Sequence, residues 1–157
     1  MARLIQSSTD KDTIDTSGIG GTLSGNALAL TAIKATLTTI LTAEHYKRTI
    51  ALAARFTEGV QRVIDEKNLP WSITQLGNRA EYWFKEKRPK NGGEAAAASD
   101  LDLDRYMHLY ALNRGILMTP FHNMALIAPT TTEADIDYHT KVFRDAVEEL
   151  LSGKAKL

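Results

Sequence analysis

No cysteine occurs among the 157 residues. That removes disulfides, thiolate metal sites and cysteine nucleophiles together, and it suits a reducing compartment. Charge of one sign is lacking too: 19 Lys and Arg face 19 Asp and Glu, a formal net charge of zero. A nucleic-acid reader carries a basic excess or stripe, so nucleic acid is not an expected partner. No apolar run reaches the ~18 residues that a membrane-spanning helix needs, so no membrane partner is expected. Nor does the opening Met1-Ala-Arg-Leu-Ile-Gln carry the apolar core of a signal peptide. Cytoplasm is the expected location.

What remains is ordinary globular composition, 43% hydrophobic and 24% charged, in a chain long enough for one proper core. Residues 1–20 are rich in Ser, Thr, Asp and Gly without sustained period, and read as a loose arm ahead of a domain spanning 21–157. Leu30, Ile33, Leu37 and Ile40 then recur at helical spacing between Asn26 and Leu41. Lys34 is the one charge on that helix, so it reads as covered on several sides by another domain or subunit. Thr42 is placed to cap a second helix reaching Lys67, with Tyr46, Ile50, Ala53, Phe56, Val60, Val63 and Ile64 inward. Asn68-Leu69-Pro70 ends it.

Two strands are expected over Trp71–Leu76 and Arg79–Phe84, joined at Gly77-Asn78, with Ala80, Tyr82 and Phe84 on a buried face. Lys85–Ala98 reads as a surface loop. Ser99 is placed to cap a helix with Leu101, Tyr106, Leu109, Tyr110 and Leu112 inward, and Gly115 to stop it. Ile116–Met118 and Met124–Ala128 read as a second strand pair. Thr132-Glu-Ala-Asp135 is a capping box opening a last helix to Leu151, lined by Ile136, Val142, Phe143, Val147 and Leu150. Paired strands with flanking helices give an α+β fold, a small antiparallel sheet with helices on one face.

Candidate chemistry is sparse. Gly20-Gly21-Thr22-Leu23-Ser24-Gly25-Asn26 precedes a helix, where glycines turn amides toward a ligand and the helix start favours an anion. Gly21, Thr22 and Ser24 thus form a candidate phosphate or carboxylate cradle, although the spacing alone favours a capped helix start after a flexible turn. His45, His108 and His139 fall on helices as partly exposed surface residues. His122 and Asn123 occupy an irregular stretch between strands and are the substrate-side candidates. No metal-ligand spacing or catalytic triad is visible, and no residue is assigned a catalytic role.

Gly21-Thr-Leu-Ser-Gly-Asn26-Ala-Leu-Ala resembles the GTLSGNPLA segment of class III pyridoxal-phosphate-dependent aminotransferases, in the glutamate-1-semialdehyde aminomutase-like branch. Arg114-Gly-Ile-Leu-Met-Thr-Pro-Phe-His-Asn-Met-Ala, followed by Thr-Thr-Glu-Ala-Asp-Ile136, resembles that branch's final strands and last helix. The likeness runs from about residue 19 to the end. It implies the small C-terminal domain of a fold-type I enzyme preceded by a long interface helix. It also implies a homodimer or higher oligomer, and small-molecule amino donors and acceptors. Gly21 and Thr22 match the residues that contact the phosphate of pyridoxal phosphate across a dimer interface. The family's Schiff-base lysine and its aspartate partner lie in an upstream large domain, and nothing here matches them: Lys34, Lys47 and Lys141 fall on helices. The aminomutases' carboxylate in the final strand region has no counterpart in Phe121-His-Asn-Met124, and Ala27 replaces a usual proline. Both departures favour transfer to or from another amino acid or amine. The alternative is a stand-alone dimerising module that binds a phosphorylated small ligand without catalysis.

Overall fold

A computed structural model of the chain describes residues 25–119 and 122–153. The chain divides into two compact units, Met1–Thr42 and Ala43–Leu157.

In the first unit, helix α1 spans Ala27–Ala35. Its start is set by Asn26, whose side chain accepts from the amide of Ala29 at 2.8 Å after Gly25 at φ +73°. The helix then widens into a π-helical turn over Thr36–Ile40. Threonine crowding accounts for this. The hydroxyls of Thr38 and Thr39 donate to the carbonyls of Lys34 and Ala35, and Leu41 N–H reaches back five residues to Thr36. No residue from Ala27 to Ile40 is buried, and Leu28 is 81% exposed.

The second unit is built on α2 (Ala43–Glu66), an antiparallel sheet in the order β1 (Ser72–Leu76), β2 (Arg79–Trp83), β3 (Met124–Leu126), and α5 (Glu133–Leu151). Between β2 and β3 lie the short α3 (Gly92–Ala97) and α4 (Leu101–Leu112). This is the expected α+β arrangement. Ala53, Phe56, Val60, Val63 and Ile64 face the core as the periodicity requires, whereas Ile50 and Tyr46, one and two turns earlier, are about two-fifths exposed. Asn68 at φ +50° ends the helix just before Pro70. Gly77 at φ +59° turns the β1–β2 hairpin, pairing Leu76 with Arg79 and Ser72 with Trp83. Ala80, Tyr82 and Phe84 face the core, where Tyr82 and Phe84 meet Trp71 and Tyr82 meets Phe143 edge to face at 5.2 Å.

The close of α4 and the start of α5 follow their sequence signals. Gly115 sits at φ +78°, its amide donating to Leu112 O and that of Ile116 to Ala111 O, which is a Schellman ending. Thr132 and Asp135 cap one another's backbone in a complete capping box.

Four expectations are corrected. Lys85–Ala98 is not all loop: Asn91 caps Glu94 N–H, the Glu94 carboxylate returns to Lys90 N–H, and the alanines between favour a helical turn. Asp100, not Ser99, caps α4, accepting from Asp102 and Leu103. Its buried face is Met107 and Ala111, while Leu101, Leu109 and Leu112 are more than half exposed. The stripe that packs on the core is Leu103, Tyr106, Met107, Tyr110 and Ala111, at i, i+3, i+4, i+7 and i+8, while Leu101, Leu109 and Leu112 flank the charged side with Asp102, Asp104 and Arg105. Finally, Ile116–Met118 is no strand, because β3 takes its ladder from β2, leaving only Thr119 N–H to Met124 O at 3.4 Å on that side.

Candidate functional site

Gly21, Thr22 and Ser24, the expected phosphate cradle, lie outside the described residues. The site that the described residues do form is centred on His122 and Asn123, between the end of α4 and β3.

Strand alternation puts Arg79, Glu81 and Trp83 on the sheet face opposite Ala80 and Tyr82. Glu81 is nevertheless 6% exposed, because it sits opposite Met124 of β3 and beneath the chain that leads into that strand. A buried carboxylate needs partners. Arg79, two residues away on the same face, gives Nη2 to Oε2 of Glu81 at 2.8 Å. His122 supplies the other partner, with Nδ1 3.1 Å from Oε1. As the carboxylate oxygen accepts, Nδ1 donates. The imidazole itself is 52% exposed.

Asn123 turns the other way. It is buried, and its Nδ2 donates to Oδ1 of Asp104 on α4 at 2.6 Å, while its backbone carbonyl accepts from Tyr82 N–H at 3.1 Å. Its own Oδ1 is buried without a hydrogen-bond partner. Burial and the Asp104 carboxylate together push the Tyr82 phenol above its ordinary pKa. The final loop therefore lacks an acid of its own but is held by two carboxylates brought from elsewhere, Glu81 of β2 and Asp104 of α4. Sequence reading missed both. The available signal was Arg79 and Glu81 at the i, i+2 spacing that puts two strand residues on one face.

His139 is a second departure. It is buried, 7% exposed, rather than partly on the surface. Its ring packs 4.4 Å from Phe56, its Nδ1 has no partner, and desolvation lowers its pKa to about 4. It borders a cleft of about 310 Å³ walled by Ile116, Met118, Met124, Ile136 and Tyr138. A second cleft, about 480 Å³, lies along α4 between Tyr106, Tyr110, Arg105 and Arg114; there burial raises the Tyr106 phenol to about 12, and the Arg114 guanidinium stacks 3.4 Å over Tyr110. A third, about 660 Å³ and wide open, is bounded by Gln61, Asn68, Trp71 and Arg88. Among the described residues no group of three or more His, Asp or Glu side chains is placed to hold a metal ion. No single described helix is long and apolar enough to cross a membrane.

No protein-family model matches the chain. Known proteins do. Glutamate-1-semialdehyde 2,1-aminomutase 2 of Halalkalibacterium halodurans is 34% identical over 131 residues, which is 83% of this chain and 30% of that protein. The corresponding protein of Geobacillus thermodenitrificans is 35% identical over 119 residues, 75% of this chain and 27% of that protein. A crystal structure of a glutamate-1-semialdehyde-aminomutase from Pseudomonas aeruginosa in complex with PMP matches with a TM-score of 0.81 and 46% identity, over 85% of this chain and 29% of that one. A β-phenylalanine aminotransferase from Variovorax paradoxus, 23% identical with a TM-score of 0.69 over 85% of this chain and 30% of that one, shares the fold. This chain thus spans about 30% of the length of the first of these relatives. By sequence and by fold it belongs to the class III aminotransferases, and corresponds to the C-terminal part of their glutamate-1-semialdehyde aminomutase-like members.

Proposed function

We propose that this chain supplies the C-terminal, small-domain part of a pyridoxal-phosphate-dependent enzyme that moves an amino group between an amino acid or amine and a keto acid or aldehyde. The observation that carries this reading is the 46% identity to an aminomutase, maintained across 85% of the chain and accompanied by the same fold. In this reading Gly21 and Thr22 contact the cofactor phosphate across a dimer interface. Helix α1 lines that interface, which accounts for a helix whose Leu28, Leu30, Ile33 and Leu37 are all more than half exposed. His122 faces the substrate.

The described residues do not fit as the cofactor's anchor. Such a lysine must give up its proton to act as a nucleophile. Lys67 is paired with Glu148 at 2.7 Å, and Lys141 with Asp145 at 2.6 Å, a contact that raises the Lys141 pKa. No lysine borders any of the three clefts. We therefore assign the anchor, and the electron-withdrawing chemistry that the cofactor supplies when bound, to parts of the enzyme outside this chain.

The test is to mix the purified chain with pyridoxal phosphate, reduce with borohydride and weigh the products. Weak, scattered lysine adducts are expected. One stoichiometric adduct at a single lysine, with an absorbance that responds to added amino acid, would refute the assignment. A second reading, a dimerising module that binds a phosphorylated ligand by itself, is favoured by the same exposed α1 face. It requires that Thr22→Val weaken binding of a phosphorylated ligand to the isolated chain, because a hydroxyl donor is lost. Unchanged affinity removes it.

A further inference from the structure

Glu81 has no counterpart among the residues that a sequence motif would mark, yet it is the one buried carboxylate among the described residues. Both of its oxygens are engaged, by Arg79 at 2.8 Å and by His122 at 3.1 Å, and the side chain is 7% exposed. His122 and Arg79, by contrast, are 52% and 45% exposed. The carboxylate is thus a buried seat with two partly exposed cationic or cation-forming groups resting on it.

This geometry has a chemical consequence. A neutral imidazole bears one proton, and a carboxylate facing Nδ1 requires that proton to stay on Nδ1. The ring is then fixed in orientation, and Nε2 is its free edge. Upon protonation Nε2 becomes a donor while Nδ1 remains on Glu81, so the ring need not turn to meet an anion. Arg79 lies on the other oxygen of the same carboxylate and balances its charge, so the imidazole need not do so. The charged group in contact with His122 is Glu81 of β2, which Arg79 also pairs; Asp104 of α4 is held by the adjoining Asn123.

We propose that Glu81, its own charge balanced by Arg79, is a positioning residue that presents Nε2 of His122 to the carboxylate group of a small-molecule ligand. The inference rests on the reading of His122 as a substrate-side residue. It deepens that reading by naming the group recognised and the side chain that aims the imidazole.

The experiment uses the full 157-residue chain with ¹⁵N-labelled histidine and acetate as the probe. In the unliganded protein, the neutral form of His122 is expected to carry its proton on Nδ1, the reverse of the preference of free histidine. Acetate should shift the His122 resonances saturably. Glu81→Gln should release the ring to a mixture of tautomers and weaken acetate by roughly tenfold or more, as loss of an outer-shell partner typically does. Glu81→Asp, which keeps the charge, should restore part of the Nδ1–H population and so separates positioning from mere folding. A His122 bearing its proton on Nε2 in the wild-type chain overturns the proposal. Acetate binding that is absent, or insensitive to Glu81→Gln, overturns it equally. Neither result would touch the cofactor assignment, which the borohydride experiment decides separately.

Discussion

Replacing His139 by Leu should remove most of this protein's loss of stability between neutral and mildly acidic pH. The buried imidazole has its pKa lowered to about 4 by desolvation, against an ordinary 6.5. The unfolded chain therefore binds a proton in a range where the folded chain does not. Its neutral burial leaves folding unpenalised above the unfolded pKa, and stability falls as the pH drops from 6.5 toward 4, then levels off once both states are protonated. Between about pH 7.5 and about pH 4.5 the cost works out at about 2–3 kcal/mol for this one group. Leucine keeps an apolar body against Phe56 at 4.4 Å and removes both the titration and the unpartnered Nδ1. Urea unfolding of both proteins at the two pH values gives the difference directly. Lowered pKa values at Glu66, held by Arg144, and at Asp137, held by Arg55, add their own acid loss, equal in wild type and variant. If His139→Leu loses as much stability as wild type on acidification, the burial argument is wrong.

Two further predictions follow from packing and capping. A Cβ at Gly59 of α2 would collide with the Thr140 hydroxyl of α5, so Gly59→Ala should cost about 1–3 kcal/mol in urea unfolding, and adding Thr140→Ala should recover much of it. Thr132→Ala removes one half of the α5 capping box and should cost about 1 kcal/mol, read as a lowered melting temperature with an unchanged circular-dichroism spectrum at low temperature.

The elements whose ends are chemically marked were legible in the sequence. Gly77, Gly115 and the Thr132–Asp135 pair each need a particular residue at a particular place, and the structure uses them there. Where exposed leucines flank the true stripe, as on α4, a reading centred on leucine picks the wrong side, and a short alanine run that depends on one asparagine cap, as at Asn91, gives no strong local signal. The candidate site was half legible. The irregular stretch drew attention to His122 and Asn123, but their partners Glu81 and Asp104 are 41 and 19 residues away and become visible only when β2, β3 and α4 are brought together. His139 was misread because a histidine on an amphipathic helix is usually solvated. Its neighbours Ile136 and Phe143, three and four positions away, place it on the buried stripe.

The pairing of α2 with α5 bears on the order in which this molecule assembles. Arg55 clasps Asp137 with two 2.8 Å hydrogen bonds across 82 residues of chain, and Arg144 meets Glu66 across 78. The hairpin can close early from neighbours in sequence, but the stripe of Phe56, Val60 and Val63 has its helical cover only after the whole intervening stretch has been made. During synthesis, α2 therefore spends the translation time of those residues with its apolar side open, and that interval is when a chaperone, or a wrong partner, has its best access.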